Sequence, residues 1–99
     1  MKRTVSFSSS VVAAEGQVFS DLGDETAILD LKSGTYYGLN AVGARIWSLI
    51  QQPTTVKEIH DILMSEYEVE PQRLRHDLVM VLEDLAEHEL IEIRDGTST

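Results

Sequence analysis

The hydrophobic period of this sequence changes once. From Gln17 to Leu39 apolar residues alternate in short runs broken by turn residues, and from Asn40 onward they recur at helical spacing. Three strands that precede the helices, instead of alternating with them, suit an α+β domain rather than a parallel sheet wrapped in helices. The 99 residues, 42% hydrophobic and 25% charged, suffice for one domain with a modest core. They leave little room for a large enclosed active site.

Three strands are expected, over Gln17 to Leu22, Glu25 to Leu31 and Thr35 to Leu39. Gly23-Asp24 is a turn signal between the first two. Lys32-Ser33-Gly34 joins the second and third as a hairpin, with Gly34 in the left-handed position that closes a type I turn with a bulge. On the second strand Ala27, Leu29 and Leu31 share one face, and Thr26, Ile28 and Asp30 the other. The reading places Tyr37 and Leu39 inward beside Leu29 and Leu31, which leaves Tyr36 and Gly38 pointing out. Residues 1–16, rich in Ser, Ala and Gly, have weak periodicity and suit a loose arm or a poorly ordered edge strand. The domain is expected over 17–95, with 96–99 a frayed tail.

Asn40 is a good N-cap for a first helix whose apolar residues are Val42, Ile46, Trp47, Leu49 and Ile50, stopped by Pro53. Thr55 and Glu58 form a capping box for a second helix running to about Tyr67. Pro71 suits the first position of a third helix that reaches about His88. Leu90 to Ile93 fits a short closing strand. At 100° per residue the third helix carries an apolar arc of about 160°, including Leu74, Leu78, Val79, Val81, Leu82, Leu85 and Ala86. One rim of that arc holds Asp77 and Asp84 beside Val81; the other holds Arg75 beside Val79. Such width fits either a helix packed between two elements or one that also lines a groove.

The formal charge is -9, and it is uneven. Met1 to Pro53 holds 4 basic and 5 acidic residues, whereas Thr54 to Thr99 holds 4 basic and 12 acidic. That surface repels phosphate backbones and favours a cationic peptide or protein, or serves only to keep helices solvated. A winged-helix DNA-binding regulator is the alternative in another class, but Asp77, Glu83, Asp84, Glu87 and Glu89 oppose only Arg73 and Arg75 on the would-be recognition helix. The longest apolar run, Leu78 to Leu82, is far short of a membrane span, and the N-terminus lacks a signal h-region, so a cytoplasmic protein is expected.

Catalytic chemistry finds no support. There is no cysteine. His76 and His88 lie about 120° apart on one helix, too far to share a metal. The glycines are scattered singly, no Gly-x-Ser-x-Gly elbow occurs, and no carboxylate pair stands apart as a buried acid and base. The remaining candidate is the strand Thr35-Tyr36-Tyr37-Gly38-Leu39, whose free edge invites an added peptide strand. From the residues alone a second reading stands beside it: the two tyrosines simply pack, and the N-terminal arm covers the edge.

The stretch Asp30-Leu-Lys-Ser-Gly-Thr-Tyr-Tyr-Gly-Leu-Asn-Ala-Val-Gly-Ala-Arg-Ile-Trp47, with Thr55-Val-Lys-Glu-Ile59 and Tyr67-Glu-Val-Glu-Pro71, resembles the PqqD-like family, most of all its stand-alone members from lasso-peptide gene clusters. The likeness runs from about Val18 to Ile93. It implies a RiPP recognition element with a winged helix-turn-helix-like fold, a three-stranded antiparallel sheet followed by three helices. Such domains bind the leader of a ribosomally made precursor as a strand added to the third strand, in a cleft closed by the third helix. The resemblance thus implies a leader site along Thr35, Tyr36, Tyr37, Gly38 and Leu39. The opposite wall is assigned to Leu74, Asp77, Leu78, Val81 and Asp84, because their acids suit a basic leader residue; Arg75 and Val79 are the other candidate rim. A separate cysteine-protease-like leader peptidase is the implied partner, with a cyclase as a further candidate. No cofactor or metal is implied, and another peptide-modifying enzyme's recognition subunit would share the same surface.

Overall fold

The computed structural model describes residues 5–23 and 25–94; the expected tail at 96–99 lies outside them. The strands are β1 (Ser10–Ala13), β2 (Gln17–Asp21), β3 (Thr26–Asp30), β4 (Tyr36–Leu39), β5 (Thr54–Thr55) and β6 (Ile91–Arg94). The helices are α1 (Ala41–Leu49), α2 (Val56–Glu66) and α3 (Pro71–Glu87). Two antiparallel sheets form, β2-β3-β4 and β5-β1-β6. The first sheet and the three helices are the α+β architecture expected.

Local signals act where the sequence puts them. Gly34 has φ 72° and its N–H donates to Asp30 C=O (2.8 Å), while Asp30 N–H donates to Thr35 C=O (2.9 Å), which is the bulged hairpin closure. Asn40 Oδ1 accepts from Gly43 N–H (2.9 Å) at the start of α1. Gly43 is there for closeness: a Cβ at that position would lie 3.3 Å from Leu39 Cβ. Thr55 and Glu58 make both bonds of their capping box, and Pro71 opens α3.

Residues 5–14 correct the loose-arm expectation. β1 is the central strand of its sheet, flanked by β5 and β6, and Val11 is fully buried. Its neighbours also satisfy helix ends that would otherwise be orphaned. Ser9 C=O accepts from Val56 N–H and Phe7 C=O from Lys57 N–H at the start of α2, while Ala13 N–H donates to Ile50 C=O past the end of α1. Thus the segment latches α1, α2 and β6 together.

The inward face of β3 is the other correction. Ile28, paired with Phe19 and Tyr37, is buried, whereas Leu31 is 60% exposed and Leu29, opposite Val18 and Tyr36, lies on the outer face. Directly opposed residues share a face, so the Phe19–Ile28–Tyr37 row fixes the sheet's packing side. Trp47 of α1 meets that row, with Phe19 edge-on at 5.8 Å.

Arg45 of α1 donates to both carboxylate oxygens of Glu66 at the end of α2, with contacts down to 2.7 Å. These bonds hold the Glu66 carboxyl below its ordinary range and raise the Arg45 guanidinium. A depressed carboxyl stabilises the fold fully above the unfolded-state value, ~4.3 for Glu, and loses that contribution as pH falls through the folded-state value. Glu66→Gln is therefore expected to lower the urea midpoint slightly at neutral pH, with the two curves converging on acidification. A difference that stays constant to pH ~3 would contradict it.

Candidate peptide-binding site

The sheet order leaves β4 terminal. Because Asp30 N–H bonds Thr35 C=O, the ladder's alternation directs the backbone groups of Tyr37 and Leu39 at β3 and those of Tyr36 and Gly38 away from it. Two N–H and two C=O groups thus face out along one edge. Tyr36 is 67% exposed on the outer face, while Tyr37 and Leu39 are half-buried against the core. A Cβ built at Gly38 meets nothing within 4 Å, so its surroundings are open.

The residue that caps the end of α3 meets this strand. Tyr37 packs edge-on to His88, ring centroids 5.0 Å apart, and His88 Nδ1–H donates to Asp84 C=O (2.8 Å) at the helix end. Asp77, Val81, Asp84 and His88 fall within about 60° of one another around the helix, so the stripe that ends at Tyr37 carries both acids and Val81. From Asp77 to His88 it is about 16 Å long, close to the extended length of a five-residue strand. Val81 and Asp84 also border a surface depression of about 370 Å³ with Met80, Glu83 and Glu87.

The opposite rim is occupied. The Arg75 guanidinium lies 4.5 Å over the Phe7 ring, which also packs edge-on against His60, and Glu83 Oε2 accepts from Val5 N–H. The N-terminal segment thus covers the Arg75 rim rather than the β4 edge.

Two residues assigned to the groove wall belong to the core instead. Leu78 is 1% exposed and Leu74 8%, both packed with Leu82 and Leu85. They lie at the centre of the apolar arc, and the centre of such an arc is what a helix buries first. Asp77 is exposed and only loosely paired with Arg73, at 3.8 Å. Asp84 Oδ1 lies 3.7 Å from His88 Nδ1. Among the described residues no three His, Asp or Glu side chains gather as a metal site, and no helix is long and apolar enough to cross a membrane.

Residues 25–91 match the family model described as coenzyme PQQ synthesis protein D, PqqD. A solved chain, TbiB1 in complex with the TbiA(beta) leader peptide, is 38% identical; the match covers 89% of this chain and 99% of that one, with a TM-score of 0.77. The chain belongs to the PqqD family. Two more distant structures share the fold of this PqqD-family chain. Lasso peptide synthetase B1 complexed with its leader peptide is 23% identical, with 83% and 96% of the two chains covered and a TM-score of 0.74. The PqqD truncation of Methylobacterium extorquens PqqCD, a stand-alone RiPP recognition element, is 21% identical, with 89% and 94% covered and a TM-score of 0.70. No curated protein matches the chain.

Proposed function

We propose that this PqqD-family chain binds the leader region of a ribosomally synthesised precursor peptide as a strand added to β4, and delivers it to a separate leader peptidase in lasso-peptide biosynthesis. One observation carries the reading: a relative 38% identical over nearly the whole chain is a leader-peptide complex.

In this role the outward N–H and C=O groups of Tyr36 and Gly38 pair with the leader backbone, and Thr35, Tyr36, Tyr37 and Leu39 frame alternate side chains. Val81 supplies the apolar contact from α3. Asp77 and Asp84 flank it and select a basic leader residue. Leu74 and Leu78 set the position of α3 from beneath and do not touch the peptide. No bond changes on this chain. It raises the concentration of precursor at a cytoplasmic, cysteine-protease-like peptidase, and a cyclase then acts downstream.

Tyr36→Ala and Val81→Ala should each weaken leader binding by about 1–3 kcal/mol, measured by fluorescence anisotropy on variants whose fold is checked by circular dichroism. Val79→Ala, on the occupied rim, should leave affinity unchanged. Unchanged affinity in both of the first two variants would remove the groove from consideration, and a shift of duplex DNA in a low-salt gel would favour the regulator reading instead.

A further inference from the structure

Among the described residues the β2-β3-β4 sheet has a second edge without a strand partner, at β2. Leu31 N–H donates to Gly16 C=O and Leu22 N–H to Glu25 C=O, so the ladder's alternation turns the backbone groups of Gln17, Phe19 and Asp21 away from β3. Soluble proteins guard such edges with lysine, proline or a bulge. Strand β2, Gln17-Val-Phe-Ser-Asp21, has neither lysine nor proline, and it pairs with β3 without a bulge. Val18 and Phe19 are about half exposed, and Leu22 just beyond them is 65% exposed. Beside this edge lies a cavity of about 300 Å³ bordered by Phe19, Asp21, Arg45, Trp47 and Tyr67. The Trp47 indole N–H, fully buried, is the one buried side-chain polar atom without a partner among the described residues.

We propose that β2 is a docking edge for a second copy of this chain, paired antiparallel about a two-fold axis through Phe19. The strand is self-complementary in that register. Gln17, Phe19 and Asp21, whose backbone groups point outward, fall opposite the partner's Asp21, the partner's Phe19 and the partner's Gln17 as hydrogen-bonded pairs. Val18 and Ser20 then face the partner's Ser20 and the partner's Val18, and no like charges stand opposite each other. The two Phe19 rings lie side by side on the cavity face, where each covers apolar surface now open to water. Six strands, β4-β3-β2 and their symmetry mates, would form one sheet with both β4 edges still free. The proposal does not depend on the leader reading.

Sedimentation equilibrium up to ~1 mM protein tests it, because self-association at micromolar to millimolar strength shows in that range. Wild-type mass is expected to rise from 11.1 kDa toward twice that value with concentration, and more readily in high salt, which screens the net charge of -9 on each copy. V18K/S20K and V18E/S20E place like charges opposite each other at exposed positions, so each should remain a monomer, and their equimolar mixture should recover the dimer. Gly38→Pro, on the other edge, should dimerise as wild type does. In wild type the Phe19 amide should gain protection from hydrogen exchange as concentration rises, a readout that needs no variant. A wild-type monomer at ~1 mM, a dimer that survives in both charge variants, a mixture that stays monomeric, or a dimer lost in Gly38→Pro would each overturn the proposal.

Discussion

Gly38→Pro is expected to abolish leader binding while the helices persist by circular dichroism. Proline removes one of two N–H groups that β4 turns outward, and its ring adds bulk on the side where the added strand must lie. A leader carbonyl left without its donor costs about 1–3 kcal/mol, and displacing the neighbouring pairs adds to that. The expected loss is thus roughly thirty-fold or more in affinity. Gly38→Ala is the informative companion, since a Cβ there meets nothing within 4 Å and the N–H is kept. Affinity near wild type for the alanine variant and none for the proline variant assigns the effect to the backbone. Equal binding by both, with folding confirmed, would mean the leader does not pair along β4.

Val11→Asp is expected to leave the chain without a cooperative unfolding transition. Val11 is fully buried in the central strand of the β5-β1-β6 sheet. Its burial contributes about 1.5–3 kcal/mol, and an unpaired carboxylate in its place costs several more. A domain of this size holds only about 5–15 kcal/mol in total. Val11→Thr, which keeps the shape and strand preference but adds a hydroxyl, should cost about 1–3 kcal/mol. A urea transition for Val11→Asp at the wild-type midpoint would mean that residues 5–14 are peripheral after all.

The elements legible in the sequence were those specified by neighbours in the chain. The Asp30–Thr35 hairpin, the Asn40 cap, the Thr55–Glu58 capping box and Pro71 each act within a few residues, and each forms in the structure. β1 was illegible because its partners lie at the far end of the chain, Ala13 opposite Ile91, and because one buried valine among serines and alanines makes no period. The inward face of β3 was ambiguous for a different reason. Both faces carry apolar residues, Leu29 and Leu31 on one and Ile28 on the other, so alternation alone does not choose, and the contact of Phe19 with Trp47 does.

The candidate site was legible in part for the same reason. The edge strand follows from strand order, which local signals give. Which rim of α3 stays open depends on Phe7 reaching Arg75, a contact between residues distant in sequence. The helical arc of Leu74, Leu78, Val81 and their neighbours is present as an arc; its centre serves the core, and on one rim Asp77 and Asp84 are exposed with Val81 half-buried between them.

Amide hydrogen exchange, followed residue by residue with and without a synthetic peptide of the cognate leader, tests strand addition most directly. In the free chain the outward amides of Tyr36 and Gly38 should exchange rapidly, while that of Tyr37, bonded to β3, exchanges slowly. With saturating leader, Tyr36 and Gly38 are predicted to become protected together and Tyr37 to change little. Leader binding that leaves the Tyr36 and Gly38 amides exchanging at their free rates would contradict the account.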